Sequence, residues 1–439
     1  MPMARTEITT DPLQNIEGPH YNVEGPHHNV EGPPASAADP AADVGLAHRR
    51  ANMLISLAPL TPDALLLTLD HVQAAFPHEH VLVATPDLEA ADYVRPEHQS
   101  SGRVTLVPYT PSVTSDTGWL PTAADYVNLY KVAREAGVAT CLMLGAESQS
   151  LTPAALVSLS DGVRDGAADL ATPHYALGAR EGLVNSAMLF PVSHALFGAR
   201  SRFPLAIDLA MSLRMAERLA GAGQRLTAQG DVEALVWPVS EAAVAGFAIT
   251  EVEAGQRALP QPDSADLNAI LAHIAGSLFA DVEGKASYWQ RSRSTEPLGA
   301  PPAPNPDDAG HVPDVHPMLS SFRVAYTNLH EIWSLVLPPH TLLGLKKLSL
   351  LPAEEFRMQD ALWVRIVYDF ILAFRLRTLN RGHLLGALTP LYLAWVASHL
   401  LLTQAGVSPE QHIRELALAF EADKPYLVSR WRWPDRFNP

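Results

Sequence analysis

The chain has 439 residues, with 31 Lys and Arg against 47 Asp and Glu, for a formal charge of −16. No cationic excess exists to neutralise phosphates, which argues against a nucleic-acid binder and disfavours adhesion to anionic lipid. A hydrophobic content of 47% is ample for a core, and the single Cys141 excludes an intramolecular disulfide framework and a Cys-only zinc site. No cationic region followed by an apolar run opens the chain, so the expectation is a cytoplasmic protein without a secretion signal.

Residues 1–45 hold seven of the 37 prolines and almost no large apolar side chains, and are expected to be disordered. They contain a heptapeptide repeat, Asn15–Tyr21, Asn22–His28 and Asn29–Pro34. Gly-Pro in each unit forbids a helix, because proline lacks the donor and glycine costs backbone entropy. Three readings stay open: weak metal binding by His20, His27 and His28, a modification substrate carried by the protein itself, or a tandemly duplicated linker.

Residues 46–291 open with β/α alternation. Ala51–Leu57 suits a buried strand, and Thr61-Pro62-Asp63 starts a helix. Val81–Thr85 and Arg103–Val107 are the next strands. Ala123–Ala136 reads as a helix and Ala139–Leu144 as the strand after it. Strand-helix-strand order predicts an α/β fold, a mostly parallel sheet with helices on both faces. Ligands bind such sheets at the carboxyl ends of the strands, so the loop after Leu144 is the first candidate site.

Residues 292–317 hold seven further prolines and read as a flexible, proline-rich loop. Residues 318–439 form a helical C-terminal region. Leu384–Leu402 lacks Asp, Glu, Lys and Arg and has the length of a membrane span. Pro390 is expected to break or kink it, giving a buried helix pair rather than an integral membrane segment. Ser408-Pro409 starts a last helix. The Trp and Arg residues of 430–433 should pack the tail on the body, with the cations exposed.

Four places could carry chemistry. Glu147 is the one acid in the loop Gly145–Ser150, and could touch a metal or nothing. Asp208 sits in an apolar stretch ahead of a helix expected over 211–219, as a catalytic or acceptor-binding carboxylate or as a helix cap. His174 and Tyr175 follow a strand end at Pro173, and His174 could contact a phosphate or sugar or be a satisfied structural histidine. The chain has no phosphate loop, dinucleotide fingerprint, nucleophile elbow or zinc helix.

Several separated motifs, in order, resemble bacterial family-two-like glycosyltransferases of the GT-A fold, similar to mannosylglycerate and glucosylglycerate synthases. They are Ala168–Tyr175, Gly182–Asn185, Phe190–Gly198, Ser201–Ser212, Trp237–Phe247, Leu362–Phe370 and Leu388–Tyr392, within residues 120–400. The resemblance implies a GT-A-like, nucleotide-diphospho-sugar transferase fold. It also implies transfer of a sugar from a nucleotide-sugar to a small hydroxylated acceptor, with Mg2+ or Mn2+ as cofactor.

The departures from the family pattern bear on activity. The family's Asp-any-Asp metal motif falls on Gly145 and Glu147, and its second acidic motif on Glu233–Leu235, with leucine at the acid position. Its late metal-binding histidine falls in Ala254–Pro260, which has none. Only Asp208 carries over as a site acid. Glu147 would then hold a metal weakly, or Arg257 would replace the metal's charge. The alternative is a catalytically inactive scaffold that binds a ligand or partner.

Overall fold

The computed structural model describes residues 51–86, 103–109, 121–178, 180–205, 207–228, 237–260, 266–292 and 314–434. The heptapeptide repeats, with His20, His27 and His28, lie outside the described residues, as does most of the proline-rich segment.

Seven strands form one sheet: β1 (Met53–Leu57), β2 (Val81–Thr85), β3 (Val104–Pro108), β4 (Thr140–Leu144), β5 (Leu170–Tyr175), β6 (Asp208–Ser212) and β7 (Ile249–Gly255). Their spatial order is β3-β2-β1-β4-β6-β5-β7. All neighbouring pairs are parallel except those of β6, which runs antiparallel to both β4 and β5. The sheet is therefore mostly parallel, as the β/α alternation predicts.

Local chemistry sets the first helices. In α1 (Pro62–Ala75), the Thr61 hydroxyl accepts from the Ala64 N–H and proline occupies the first turn. The same Thr-Pro device starts α3 (Pro153–Arg164). In α2 (Ala123–Ala136), Thr122 and Asp125 form a capping box, and Gly137 ends the helix at φ +67°. Alternation along β1 divides the core. Met53, Ile55 and Leu57 face α1 and α3, whereas Leu54 faces α2, α5 (Leu213–Ala228) and α6 (Trp237–Ala245). Helices thus cover both faces.

A third and larger core lies beyond the sheet. It gathers α4 (Phe190–Phe197) with the π-helical turn before it, α7 (Leu267–Gly284), α8 (Ala286–Trp289), α9 (His316–Asn328), α10 (His330–Val336), α11 (Pro339–Ser349), α12 (Asp360–Leu376), α13 (Arg381–Gln404) and α14 (Pro409–Arg432). Residues from both sides of the proline-rich segment share this core. Trp363 in α12, for example, donates its indole N–H to the Ala187 carbonyl at 2.8 Å.

Four expectations need correction. Asp208 does not precede a helix over 211–219; it opens strand β6, and α5 begins at Leu213. His174 and Tyr175 do not follow a strand end; they lie inside β5. Residues 384–402 are not a broken pair but one helix, α13, with Pro390 inside it. The missing proline donor is tolerated because packing dominates: 78% of the apolar window is buried in the protein. This is the one helix among the described residues long and apolar enough to cross a membrane. At the C-terminus Trp431 packs edge-on against Trp289 at 4.9 Å, whereas Trp433 is exposed. Arg430 is not a free surface cation, since it reaches the buried Asp369.

Candidate functional site at the strand ends

β6 runs against its neighbours, so its first residue lies at the edge where β4 ends. Leu144 and Asp208 are register partners. Asp208 is fully buried, and both its oxygens are occupied. Oδ1 accepts from the Gly145 N–H at 3.1 Å and from Arg257 Nη2 at 3.2 Å. Oδ2 accepts from the Tyr175 hydroxyl at 2.5 Å and from Arg257 Nε at 2.8 Å.

Arg257 follows β7 and extends beneath the loop after β4. Its Nη1 donates to the Glu147 carbonyl at 2.5 Å, the Ala258 carbonyl at 2.8 Å and Ser150 Oγ at 3.0 Å. Its Nη2 also donates to the Ala146 carbonyl at 2.6 Å. Every N–H of the guanidinium therefore has a protein acceptor. Burial, the largest single influence, works against its charge, but the Asp208 carboxylate and Tyr175 together offset it and hold the Arg257 pKa above its ordinary value. Burial, and then the Asp208 charge, push the Tyr175 hydroxyl well above the usual tyrosine range, so it serves as a neutral donor.

Two residues expected at the site lie apart from this knot. The Glu147 side chain is exposed and accepts from Gln149 at 2.7 Å; only its backbone carbonyl joins Arg257. Glu147 holds φ +60°, a left-handed conformation costly for a non-glycine residue. His174 turns to Glu253 on β7, with Nδ1 2.9 Å from Oε1. The structure thus brings Asp208, Tyr175, Arg257 and the Glu147 backbone together, and leaves His174 at the β5/β7 edge.

The residues do not fit a divalent cation. Among the described residues no group of three or more metal-ligating side chains converges. A guanidinium already fills the ring of carboxylate, carbonyl and hydroxyl oxygens that a hard cation would use. Nor is there room for an aspartate at the Gly145 position. A Cβ there would stand 2.9 Å from both Cγ2 and the carbonyl oxygen of Ile207. Ser150 and the carbonyls of 146, 147 and 258 are the parts of this knot that the sequence did not single out, and Gly145 was singled out only as a lost metal-ligand position, not for its N–H. A glycine between a buried strand and an acidic loop was the available signal, since such glycines mark close backbone approach.

No family model and no curated protein sequence matches this chain. Similar solved structures include a putative nucleotide-diphospho-sugar transferase from Desulfovibrio desulfuricans G20, 9% identical, with 55% of this chain and 98% of that chain covered and a TM-score of 0.30. Another is a cytidylyltransferase from Leptospira borgpetersenii serovar Hardjo-bovis, 12% identical, with 56% and 99% covered and a TM-score of 0.27.

Proposed function

We propose that this chain is a cytoplasmic, glycosyltransferase-like protein of the GT-A type that binds a nucleotide-sugar at the strand ends without a divalent cation. One observation carries the reading. Arg257 occupies the oxygen-lined position at the ends of β4 and β6, and its charge is satisfied by Asp208 at 2.8 Å. Metal-assisted transfer needs an exchangeable cation at such a place; here the cation is part of the chain. Sugar transfer would go to a small hydroxylated acceptor. Asp208 would act by holding the loop 145–150 in shape rather than by taking a proton, since both its oxygens are engaged. The test is calorimetry with a panel of nucleotide-sugars, first with a chelator and then with manganese. Binding of at least one nucleotide-sugar, unchanged by the chelator, is expected. Binding only with manganese would sink metal independence, and no binding at all would sink the nucleotide-sugar reading.

A second reading, a catalytically silent scaffold that binds a ligand or partner, is favoured by the burial of Asp208 and the saturation of Arg257. It separates from the first by product analysis. Binding with no release of nucleoside diphosphate in the presence of hydroxylated acceptors selects the scaffold.

A further inference from the structure

A hydrogen-bonded pair of buried imidazoles ties α14 to its neighbours. His399 of α13 and His412 of α14 are 0% and 4% exposed, and their Nδ1 atoms stand 2.7 Å apart. His412 Nε2 carries the connection on to Asp360 Oδ1, in the first turn of α12, at 3.1 Å. Trp395, one turn before His399, stacks on both rings, with centroids 5.2 Å from His399 and 6.0 Å from His412 and interplanar angles of 11° and 14°. Two imidazole nitrogens this close hold one proton between them: one donates and the other accepts. With both rings neutral, the Asp360 carboxylate selects the tautomer of His412 that carries its hydrogen on Nε2, so His412 Nδ1 accepts from His399. One added proton fits, because an imidazolium at His412 donates to Asp360 and to His399 at once. A second does not fit, because two N–H groups would then face each other across 2.7 Å.

We propose that the His399–His412 contact is an acid-released latch, which holds the N-terminal half of α14 on α12 and α13 at neutral pH and lets it open when both imidazoles take a proton. The other charged groups around α14 either keep their charge or are separable from the pair. Arg202 holds Glu410 at 3.0 Å, Arg365 holds Asp423 and Arg430 holds Asp369, and arginines stay charged throughout. Lys424 donates to Ser292; burial lowers its ammonium to about 8, so below neutral pH it is charged whether α14 is closed or open. Asp369, raised by burial, works in the opposite sense, but it meets the C-terminal half of α14 through Tyr426 and Arg430. His194 of α4, 3.4 Å from Glu421, works in the same sense as the pair: burial, ahead of the Glu421 charge, holds it below the ordinary histidine value, so acid favours its release. Arg414 and Glu415 follow His412 along α14, and Arg357 precedes Asp360. On the helices packed against α13, Glu283 of α7 pairs with Arg381 at the start of α13, Trp333 of α10 donates to the Ala387 carbonyl, and Arg323 of α9 donates to the Leu351 carbonyl.

The test is native-state hydrogen exchange of the full chain between pH 5 and 8, read on peptides from 409–421 and corrected for intrinsic rates. An opening that takes up one proton becomes about tenfold more favourable for each pH unit of acidification, once the pH is below the ordinary histidine value of about 6.5. The reference is H399N/H412Q, whose side chains are polar but do not titrate. Asp369, His194 and Lys424 are the same in both chains, so the ratio of wild-type to variant opening isolates the pair. That ratio should climb below pH 6 toward about tenfold per pH unit, while peptides from α1 show no such climb. Circular dichroism at neutral pH checks that the variant is folded. If it is not, His399→Phe, which keeps a ring stacked on Trp395, serves as the reference with the same expected climb. A ratio that does not change between pH 7 and 5 overturns the latch. An equal climb in the α1 peptides also overturns it, since acid would then be unfolding the whole chain rather than releasing α14.

Discussion

Replacing Arg257 by methionine should be among the most damaging single changes in the chain. The substitution keeps most of the aliphatic volume and removes the charge. Asp208, at 0% exposure, then keeps only the Tyr175 hydroxyl and the Gly145 N–H as partners. Stranding a buried charge in this way costs about 3–5 kcal/mol. The carbonyls of 146 and 258 lose a donor as well; the Glu147 carbonyl keeps the Ser150 N–H at 2.9 Å. Asp208→Asn keeps the shape and still accepts from the guanidinium, but leaves a buried cation facing a neutral amide, and should cost about 2–3 kcal/mol. The informative variant is the double one, Asp208→Leu with Arg257→Met. Removing both charges relieves the stranded ion, so the pair should be less damaging than the sum of its singles by about 2–3 kcal/mol. Equilibrium urea unfolding of all variants at neutral pH reads this directly. If Arg257→Met costs under about 1 kcal/mol, or if the two changes simply add, Asp208 and Arg257 are not the buried pair described above.

Other expectations are independent of that pair. Burial pushes the Asp369 carboxyl up to about 7, against the pull of Arg430 and Tyr426, and its Oδ2 is buried without a hydrogen bond. A carboxyl raised in the folded state favours folding at low pH, and that advantage is lost as pH rises from about 4 toward about 7. The stability of the wild type relative to Asp369→Asn should therefore fall across that window and level off above it, as read from urea midpoints; a flat difference would contradict the raised carboxyl. Glu147→Gly should raise stability by up to about 1 kcal/mol, because relief of the left-handed backbone exceeds the entropy that glycine loses. The same variant should leave nucleotide-sugar affinity unchanged if only the Glu147 carbonyl matters, and a large loss of affinity would assign the carboxylate a binding role. Pro390→Ala should raise the thermal midpoint, by about 1–3 kcal/mol in stability, since it restores a helical donor at a half-buried position of α13.

The readable parts of the fold were those with punctuation. β1, β2, β3 and β4 are short apolar runs; the helices among them begin at Thr-Pro or Thr-any-any-Asp signals and end at Phe76-Pro77, at Gly137 and just before Gly166. β6 escaped because nothing separates it from α5: Ser212 closes the strand and Leu213 opens the helix with no turn residue between. Asp208 consequently looked like a residue near a helix start. β7 escaped because it is an edge strand whose Glu251 and Glu253 break the apolar run. Arg257 was legible as a cation at the position of a lost metal ligand. Its exhaustion on protein acceptors was not, because the Ala146, Glu147 and Ala258 partners are backbone carbonyls, which carry no sequence signal.

The reversed direction of β6 has a consequence for how this chain can change. Asp208, the first residue of β6, is held in register against Leu144 of β4, and two residues further on Ala210 and Met211 are paired with β5 as well. Its position is inherited from the sheet, not from any connecting loop. Insertions and deletions in the loops that follow β1, β2 and β3 can therefore accumulate, and with them new ligand contacts, while Asp208 stays anchored. The loops and the sheet-anchored carboxylate of the strand-end surface are thus held by different parts of the structure, and a scaffold of this kind can exchange its ligand without exchanging its fold.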